Sequence, residues 1–375
     1  MTPDAIVVGG GLVGAMTALA LTEAGADVTL LEASFPGGGS SGAAMGHVVV
    51  MDDSPAQFAL CAYSRARWQD LADSLPASGE YDGCGTLWIA ATEDELGGAV
   101  ERASQYWAAG VAAEMINSQD LQALEPELRP GLAGGLLVPG DGVCYPPAVA
   151  RAISARAASR GARVQPGSVV QSVEANAVRL QDGTVLYAGA IVIAAGVASP
   201  YLAPGLPIIP RKGHLVISDR APGFVRHQLV ELGYLHSAHT FAGASVAFNV
   251  QPRRNGQMLV GSSRELVGTD PSINRTLVAT MLSRAVEFVP RLGELRALRT
   301  WTGFRPATPD KLPLIGPWPA IPGVWIAAGH EGLGITMATG TADLIVAGIS
   351  NTAPPIDPAP YRPDRGMPSI DLIAA

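Results

Sequence analysis

The chain is poor in cysteine, in aromatic residues and in charge. Its three cysteines, Cys61, Cys84 and Cys144, lie far apart in 375 residues and form no CxxC pair. That excludes a disulfide-stapled scaffold and leaves no ligand set for structural zinc or an iron–sulfur cluster. The plain reading of the three thiols is small buried hydrophobes in a reducing compartment, so a cytoplasmic location is expected. His214, His227, His236 and His239 are scattered without metal spacing, although the last two are only three apart. No metal is expected. Lys and Arg number 25 against 33 Asp and Glu, and a net charge of −8 disfavours nucleic acid or an anionic membrane as partner. No apolar run approaches the roughly 20 residues of a membrane span. No charged segment precedes the first apolar run, Ala5-Ile6-Val7-Val8, so no signal peptide is expected.

What remains is apolar and small. Hydrophobic residues make up 48% of the chain and the mean hydropathy is +0.24, the profile of a folded, well-buried protein. At this length two interleaved domains are expected. Ala5–Val8 reads as a strand buried on both faces, Leu12 to Ala24 as a helix stopped by Gly25, and Asp27–Leu31 as a second strand. Pro147 to Arg160 reads as a helix, Gly189 to Gly196 as a buried strand entering a glycine turn, and Trp325 to Ile349 as strand, glycine loop and helix. Between these pieces the strand-like stretches Gly85–Ala91, Gly213–Ser218, Ser245–Val250 and Gln257–Gly261 alternate with turns, and Ser272–Val289 is helical.

The fold class expected is therefore α/β with an α+β second domain. A Rossmann-type nucleotide domain is built from residues 1–80, 145–205 and 302–350. An antiparallel-sheet substrate domain is inserted as 81–144 and 206–301, and the proline-rich tail 351–375 is expected to lie irregularly on the surface.

Gly9-Gly10-Gly11-Leu12-Val13-Gly14 is a GxGxxG placed between strand and helix. Gly9 permits the turn, Gly11 lets backbone approach a pyrophosphate, and Gly14 lets helix and strand pack closely. The diphosphate then sits on a helix amino terminus, where unpaired N–H groups and the dipole favour anions. Glu32 closes the second strand, where an acid accepts a ribose hydroxyl and repels the extra phosphate of NADP. This motif alone does not separate NAD from FAD.

Three further blocks do. They are Gly37-Gly38-Gly39-Ser40-Ser41-Gly42-Ala43-Ala44-Met45-Gly46-His47, then Trp301-Thr302-Gly303-Phe304-Arg305-Pro306-Ala307-Thr308-Pro309-Asp310 with Pro313-Leu314-Ile315-Gly316, and Ala327-Ala328-Gly329-His330 through Gly340. In order and spacing the chain resembles the glycine oxidase, sarcosine oxidase and D-amino-acid dehydrogenase family of flavoenzymes, the DAO family, over nearly its whole length. The resemblance implies bound FAD, contacted at Gly9, Gly11, Leu12, Val13, Gly14, Glu32 and Ala33, and at Ser40, Ser41, Met45, Gly46 and His47. It implies further contacts at Val170, Gly196 and the stretch His330, Glu331, Gly332, Leu333, Gly334, Ile335 and Thr336.

Gly332 and Gly334 are read as opening a helix whose N–H groups face the flavin pyrimidine ring, where negative charge gathers on reduction. Arg305 falls on the arginine that binds the substrate carboxylate in glycine oxidase, a role that a planar guanidinium suits. The alternative for Arg305 is a surface ion pair. His47 and His330 are read as packing histidines rather than proton shuttles, although His47 is kept among the pocket candidates.

Two departures narrow the resemblance. Gly303 stands where sarcosine oxidase carries its flavin-linking cysteine, so FAD is expected to be noncovalent. Asn249 stands at glycine oxidase's active-site tyrosine, with Phe248 beside it to replace the ring's bulk, and Arg264 stands near sarcosine oxidase's oxygen-activating lysine. Met45 to Pro55, Phe248 to Arg253 and Gly261-Ser262-Ser263-Arg264 resemble the catalytic β subunit of D-hydroxyproline dehydrogenase. Related subunits work with a second flavoprotein-like subunit and a small iron–sulfur subunit. The implied reaction is oxidation of a small D-amino or cyclic imino acid, with cis-4-hydroxy-D-proline as the leading candidate. Hydride leaves Cα for flavin N5, and electrons pass to an acceptor other than oxygen. An oxygen-using glycine, sarcosine or D-amino-acid oxidase and an electron-relay subunit are the alternatives.

Overall fold

The structure is a computed structural model that describes residues 2–233 and 244–367. His236 and His239 lie outside the described residues. Contacts divide the chain into two units, with cuts after Gly79, Cys144, Arg211 and Gly303.

The first unit is built on a six-stranded sheet in the order Leu314–Pro317, Val324–Ala328, Ala190–Ile193, Ala5–Val8, Val28–Glu32 and Arg163–Pro166. Every pairing is parallel except the first, which is an antiparallel hairpin. Ala5–Val8 and Ala190–Ile193 are buried at every position, which is why both read as unbroken apolar runs rather than alternating ones. Helices Leu12–Glu23, Pro146–Ser159 and Ala338–Ile349 carry the remaining apolar faces. A smaller antiparallel sheet, Val170–Glu174, Ala177–Leu180 and Val185–Tyr187, packs its Val173, Val178 and Leu180 against Ile6, Val8 and Leu31.

The second unit carries most of an eight-stranded sheet, ordered Ala297–Ala307, Ile209–Arg220, Gln257–Arg264, Ser245–Pro252, Gln228–Glu231, Thr86–Ala90, Gly134–Val138 and Glu114–Asn117. It is not wholly antiparallel. Gln228–Glu231 and Thr86–Ala90, which come from different inserted segments, run parallel. One face is filled by Leu87, Ile89, Leu229, Phe248 and Val250 packed on helix Arg275–Phe288.

The tail is largely irregular and exposed, but it is anchored at Tyr361 and Arg365. Residues 351–367 contain little regular structure, yet Tyr361 is buried and donates to the Ala56 carbonyl at 2.6 Å. Arg365 grips both carboxylate oxygens of Asp310, at 2.7 and 2.9 Å, and donates to the carbonyls of Leu312 and Pro313. A bidentate pair is geometrically selective, so the tail fixes the Thr308-Pro309-Asp310 turn through a partner 55 positions away. Among the described residues no helix is long and apolar enough to cross a membrane.

Candidate active site

The glycine turn has the shape that its sequence requires. Gly9 has φ +108°, and a Cβ there would stand 2.5 Å from the Ala194 carbonyl oxygen. The helix that follows starts at Leu12 with neither a side-chain cap from Gly11 nor an acid in its first turn. Its positive end is therefore not neutralised from within the helix. The Leu12 N–H donates to Ser41 Oγ at 3.0 Å, which brings the small-residue loop onto the turn. Glu32 reaches the same turn, its carboxylate accepting from Gly10 N at 2.6 Å and Ser34 N at 2.8 Å. Ala33 beyond it is exposed, and Gly196, with φ +56°, lies beside Ser40.

The other blocks close on this loop. Ser40 Oγ donates to the Phe304 carbonyl at 2.7 Å, next to Arg305. The Thr336 hydroxyl donates to the His47 carbonyl and accepts from Val49 N, both at 3.0 Å, tying the Met45–Gly46–His47 turn to the later glycine loop. Trp68 Nε1 donates to the carbonyls of Ile335 and Thr336. Gly334 lies near Val13, and Arg305 lies along Gly332, whose ideal Cβ would sit 3.8 Å from Arg305 Cδ and Nε. Val170, partly buried at the start of the small sheet, packs against the cluster that includes Val8 and Leu31 beside the glycine turn.

Residues 331–336 do not open the long helix directly. Glu331–Leu333 form a short 3₁₀ turn and the helix begins at Ala338. Glycine weakens helix formation, and the Thr336 hydroxyl and Trp68 fix the loop in a different path. Glu331 takes a left-handed φ of +49° and pairs with the buried Arg211 at 2.7 Å. No sequence signal marked Arg211, because its partner is 120 positions away.

His330 is buried, with Nε2 2.9 Å from Thr341 Oγ1. Burial alone depresses its pKa to about 3, so it is neutral at working pH. The unfolded chain binds a proton at this position below about pH 6.5, whereas the folded one resists it. Stability from this residue is complete above that pH and falls by about 1.4 kcal/mol per unit on acidification towards pH 3. His330→Leu therefore narrows its stability gap to wild type, or reverses it, by about 2 kcal/mol between pH 7.5 and 5. Urea unfolding at both values measures this, and a gap that does not change with pH contradicts it.

In the second unit Asn249 and Phe248 take opposite faces of one strand. Phe248 is fully buried and stacks on Phe288 at 4.5 Å within the apolar core. It does not share a face with Asn249, so it cannot supply bulk in the place of a side chain there. Asn249 is 5% exposed, and Arg264 ends its neighbouring strand, also buried. His214 is a core histidine. Its Nε2 accepts from Asn274 N and its Nδ1 meets Ser263 Oγ at 2.9 Å. Among the described residues no group of three His, Cys, Asp or Glu is placed to hold a metal ion.

A strand–glycine turn–helix unit with an acid at the next strand end is a dinucleotide site. The model of the DAO family of FAD-dependent oxidoreductases matches residues 4–347, and the chain belongs to that family. It is 28% identical to glycine oxidase from Pseudomonas aeruginosa over 97% of this chain and 99% of the relative. It is 29% identical to D-amino acid dehydrogenase from Cereibacter sphaeroides, covering 82% and 70%. The crystal structure of glycine oxidase from Geobacillus kaustophilus superposes with a TM-score of 0.87 at 25% identity, covering 98% of this chain and all of that one. The protein is thus an FAD-dependent oxidoreductase.

The residues fit that cofactor. The helix start, without an acid in its first turn, and the glycine turn suit the pyrophosphate, Glu32 the ribose, and the glycine loop at 332–334 leaves backbone rather than side chains to meet a ring. We propose that FAD is held without a covalent bond. Cys61 and Cys144 are buried, and burial pushes the Cys84 thiol up to about 12, so none is a ready nucleophile. Acid precipitation releases all of the flavin under this reading, and yellow fluorescence travelling with the denatured band on a gel contradicts it.

Proposed function

We propose that this oxidoreductase converts a small D-amino or cyclic imino acid, with cis-4-hydroxy-D-proline as the leading candidate, into its imine. The observation that carries the reading is Arg305. It extends from a strand whose neighbouring carbonyl is pinned by Ser40, and its stem lies along Gly332, a position without a side chain. A guanidinium so placed offers two parallel donors to an α-carboxylate. Holding the carboxylate orients the Cα–H bond. Loss of hydride from Cα and of a proton from nitrogen leaves the C=N bond, and bound FAD supplies the two-electron acceptor. His330, neutral and bonded to Thr341, is not required as a base when the substrate nitrogen is already neutral.

An oxygen-using oxidase is the second reading, favoured by full-length likeness to proteins named glycine oxidase. We favour an acceptor other than oxygen because Arg264, rather than lysine, ends the strand Gln257–Arg264. Such an acceptor includes a partner subunit, as the related hydrogen cyanide synthase subunit HcnC of Pseudomonas aeruginosa suggests. An intact Arg305 block speaks against a pure electron relay, which has no carboxylate to hold. Anaerobic bleaching of the bound flavin against D- and L-amino acids, prolines and sarcosine tests the substrate class. Rapid mixing of the reduced protein with oxygen separates the two acceptors. A flavin that no amino acid bleaches refutes the proposal.

A further inference from the structure

Beyond strand Val324–Ala328 the chain turns twice through left-handed backbone, at Gly329 with φ +80° and at Glu331 with φ +49°. Glycine adopts that conformation freely, whereas a side chain there is disfavoured. Gly332 and Gly334 follow, so glutamate at 331 is an unfavourable choice in a loop otherwise built to turn. The Glu331 carboxylate accepts from Arg211 Nη1 at 2.7 Å, and the two side chains are 15% and 3% exposed. Desolvation offsets the attraction within a buried ion pair, so stability alone does not account for this one. A left-handed side chain and two desolvated ions at one corner mark a functional position. Arg211, Glu331, the glycine loop and Arg305 all belong to the first unit. The loop that Glu331 opens passes Arg305 at Gly332 and comes near Val13 of helix Leu12–Glu23 at Gly334.

We propose that Arg211 is a positioning residue for the flavin, acting through Glu331. It fixes the corner from which the backbone of residues 332–334 meets the ring, and it cancels a negative charge that would oppose flavin reduction. The proposal rests on the FAD site described above and not on the choice of substrate. Reduction adds negative charge to the ring, so a lone carboxylate beside the loop would disfavour it and a lone guanidinium would favour it. Each effect is larger in a site that excludes water than in solvent. Paired, the two side chains present no net charge, which leaves the glycine-loop backbone to set the local field.

The test is the midpoint potential of the bound flavin in the holoenzyme, measured anaerobically against a reference dye, so that no amino acid is needed. Glu331→Gln removes the negative charge and keeps an oxygen for Arg211 to bond. It should retain its flavin and shift the two-electron equilibrium towards reduction by about tenfold, roughly 30 mV. Arg211→Met removes the cation and should shift the equilibrium by a similar factor the other way. The Arg211→Met/Glu331→Gln double variant has no charge at either position and should return to within about threefold of wild type. Arg211→Lys keeps the charge and should also stay near wild type. Unmoved potentials in both single variants overturn the proposal. So do potentials that move in the same direction, which mark a loosened loop rather than a charge. Should Arg211→Met not fold, Glu331→Gln carries the test alone, and an unmoved or lowered potential there overturns the proposal. A wild type that neither carries nor takes up FAD refutes the cofactor site itself, whereas a yellow wild type with unmoved variants refutes only this inference.

Discussion

Gly14→Ala is expected to give a protein that is colourless on purification and markedly less stable. A Cβ on Gly14 would stand 1.9 Å from the Gly9 carbonyl oxygen and 3.2 Å from Ala194 Cβ. The first contact is with backbone and is far inside van der Waals distance, so no rotamer relieves it. Gly9 cannot retreat, because it lies against the Ala194 carbonyl and donates its own N–H to Leu31 at 2.8 Å. The helix must therefore move away from the strand, and overpacking of this kind costs about 1–3 kcal/mol or more. The same shift displaces the helix-start N–H groups that we propose hold the pyrophosphate, and the stabilisation conferred by bound cofactor is expected to disappear with the binding. Gly97→Ala is the control. It sits exposed in helix Glu93–Ala108 with nothing near its ideal Cβ, and should remain yellow with about 0.5–1 kcal/mol of added stability. The ratio of flavin to protein absorbance, with melting curves, decides. A Gly14→Ala protein with full flavin content means that the turn is not what holds the cofactor.

The nucleotide turn was legible because its demands are local. A left-handed φ, a close backbone approach and a helix start each select glycine at a fixed offset, and Glu32 follows at the end of the next strand. Strands buried on both faces were legible for a similar reason, since each residue of Ala5–Val8 is apolar. That Phe248 points to the core was readable, since Val246, Phe248 and Val250 alternate with Ala247, Asn249 and Gln251, and adjacent residues of a strand cannot fill the same place. What else failed depends on distant partners. Tyr361 and Arg365 look like ordinary residues of a proline-rich tail until Ala56 and Asp310 are placed beside them. The pairing of Arg211 with Glu331 is equally silent in sequence. The glycines at 332 and 334 read as a helix start, yet tertiary ties to Trp68 and the His47 turn delay the helix to Ala338.

Arg305→Ala should retain FAD but raise the apparent dissociation constant for substrate about 100-fold or more. Arg305 stays protonated at any working pH, so its contribution is hydrogen bonding and charge rather than proton transfer. Two charge-assisted bonds to a desolvated carboxylate contribute roughly 1.5–3 kcal/mol each, and each ~1.4 kcal/mol is tenfold in affinity. The backbone before Arg305 and the path of its stem are both defined. Ser40 Oγ fixes the Phe304 carbonyl at 2.7 Å, while Gly332 leaves room for the stem of Arg305. Neither contact depends on the charge, so the alanine variant should keep the local backbone and the flavin. Lysine preserves the charge without the planar fork and should recover only part of the loss. Flavin reduction should slow as well, because a carboxylate held at one point lets the Cα–H bond swing away from its productive direction. Gly332→Val provides an independent approach: its side chain would press on Arg305 Cδ and Nε, weakening affinity while the guanidinium is still present. Anaerobic stopped-flow reduction across substrate concentrations separates affinity from rate for all three variants. If Arg305→Ala reduces its flavin with wild-type affinity and rate, the arginine is structural, and the carboxylate is held by residues elsewhere.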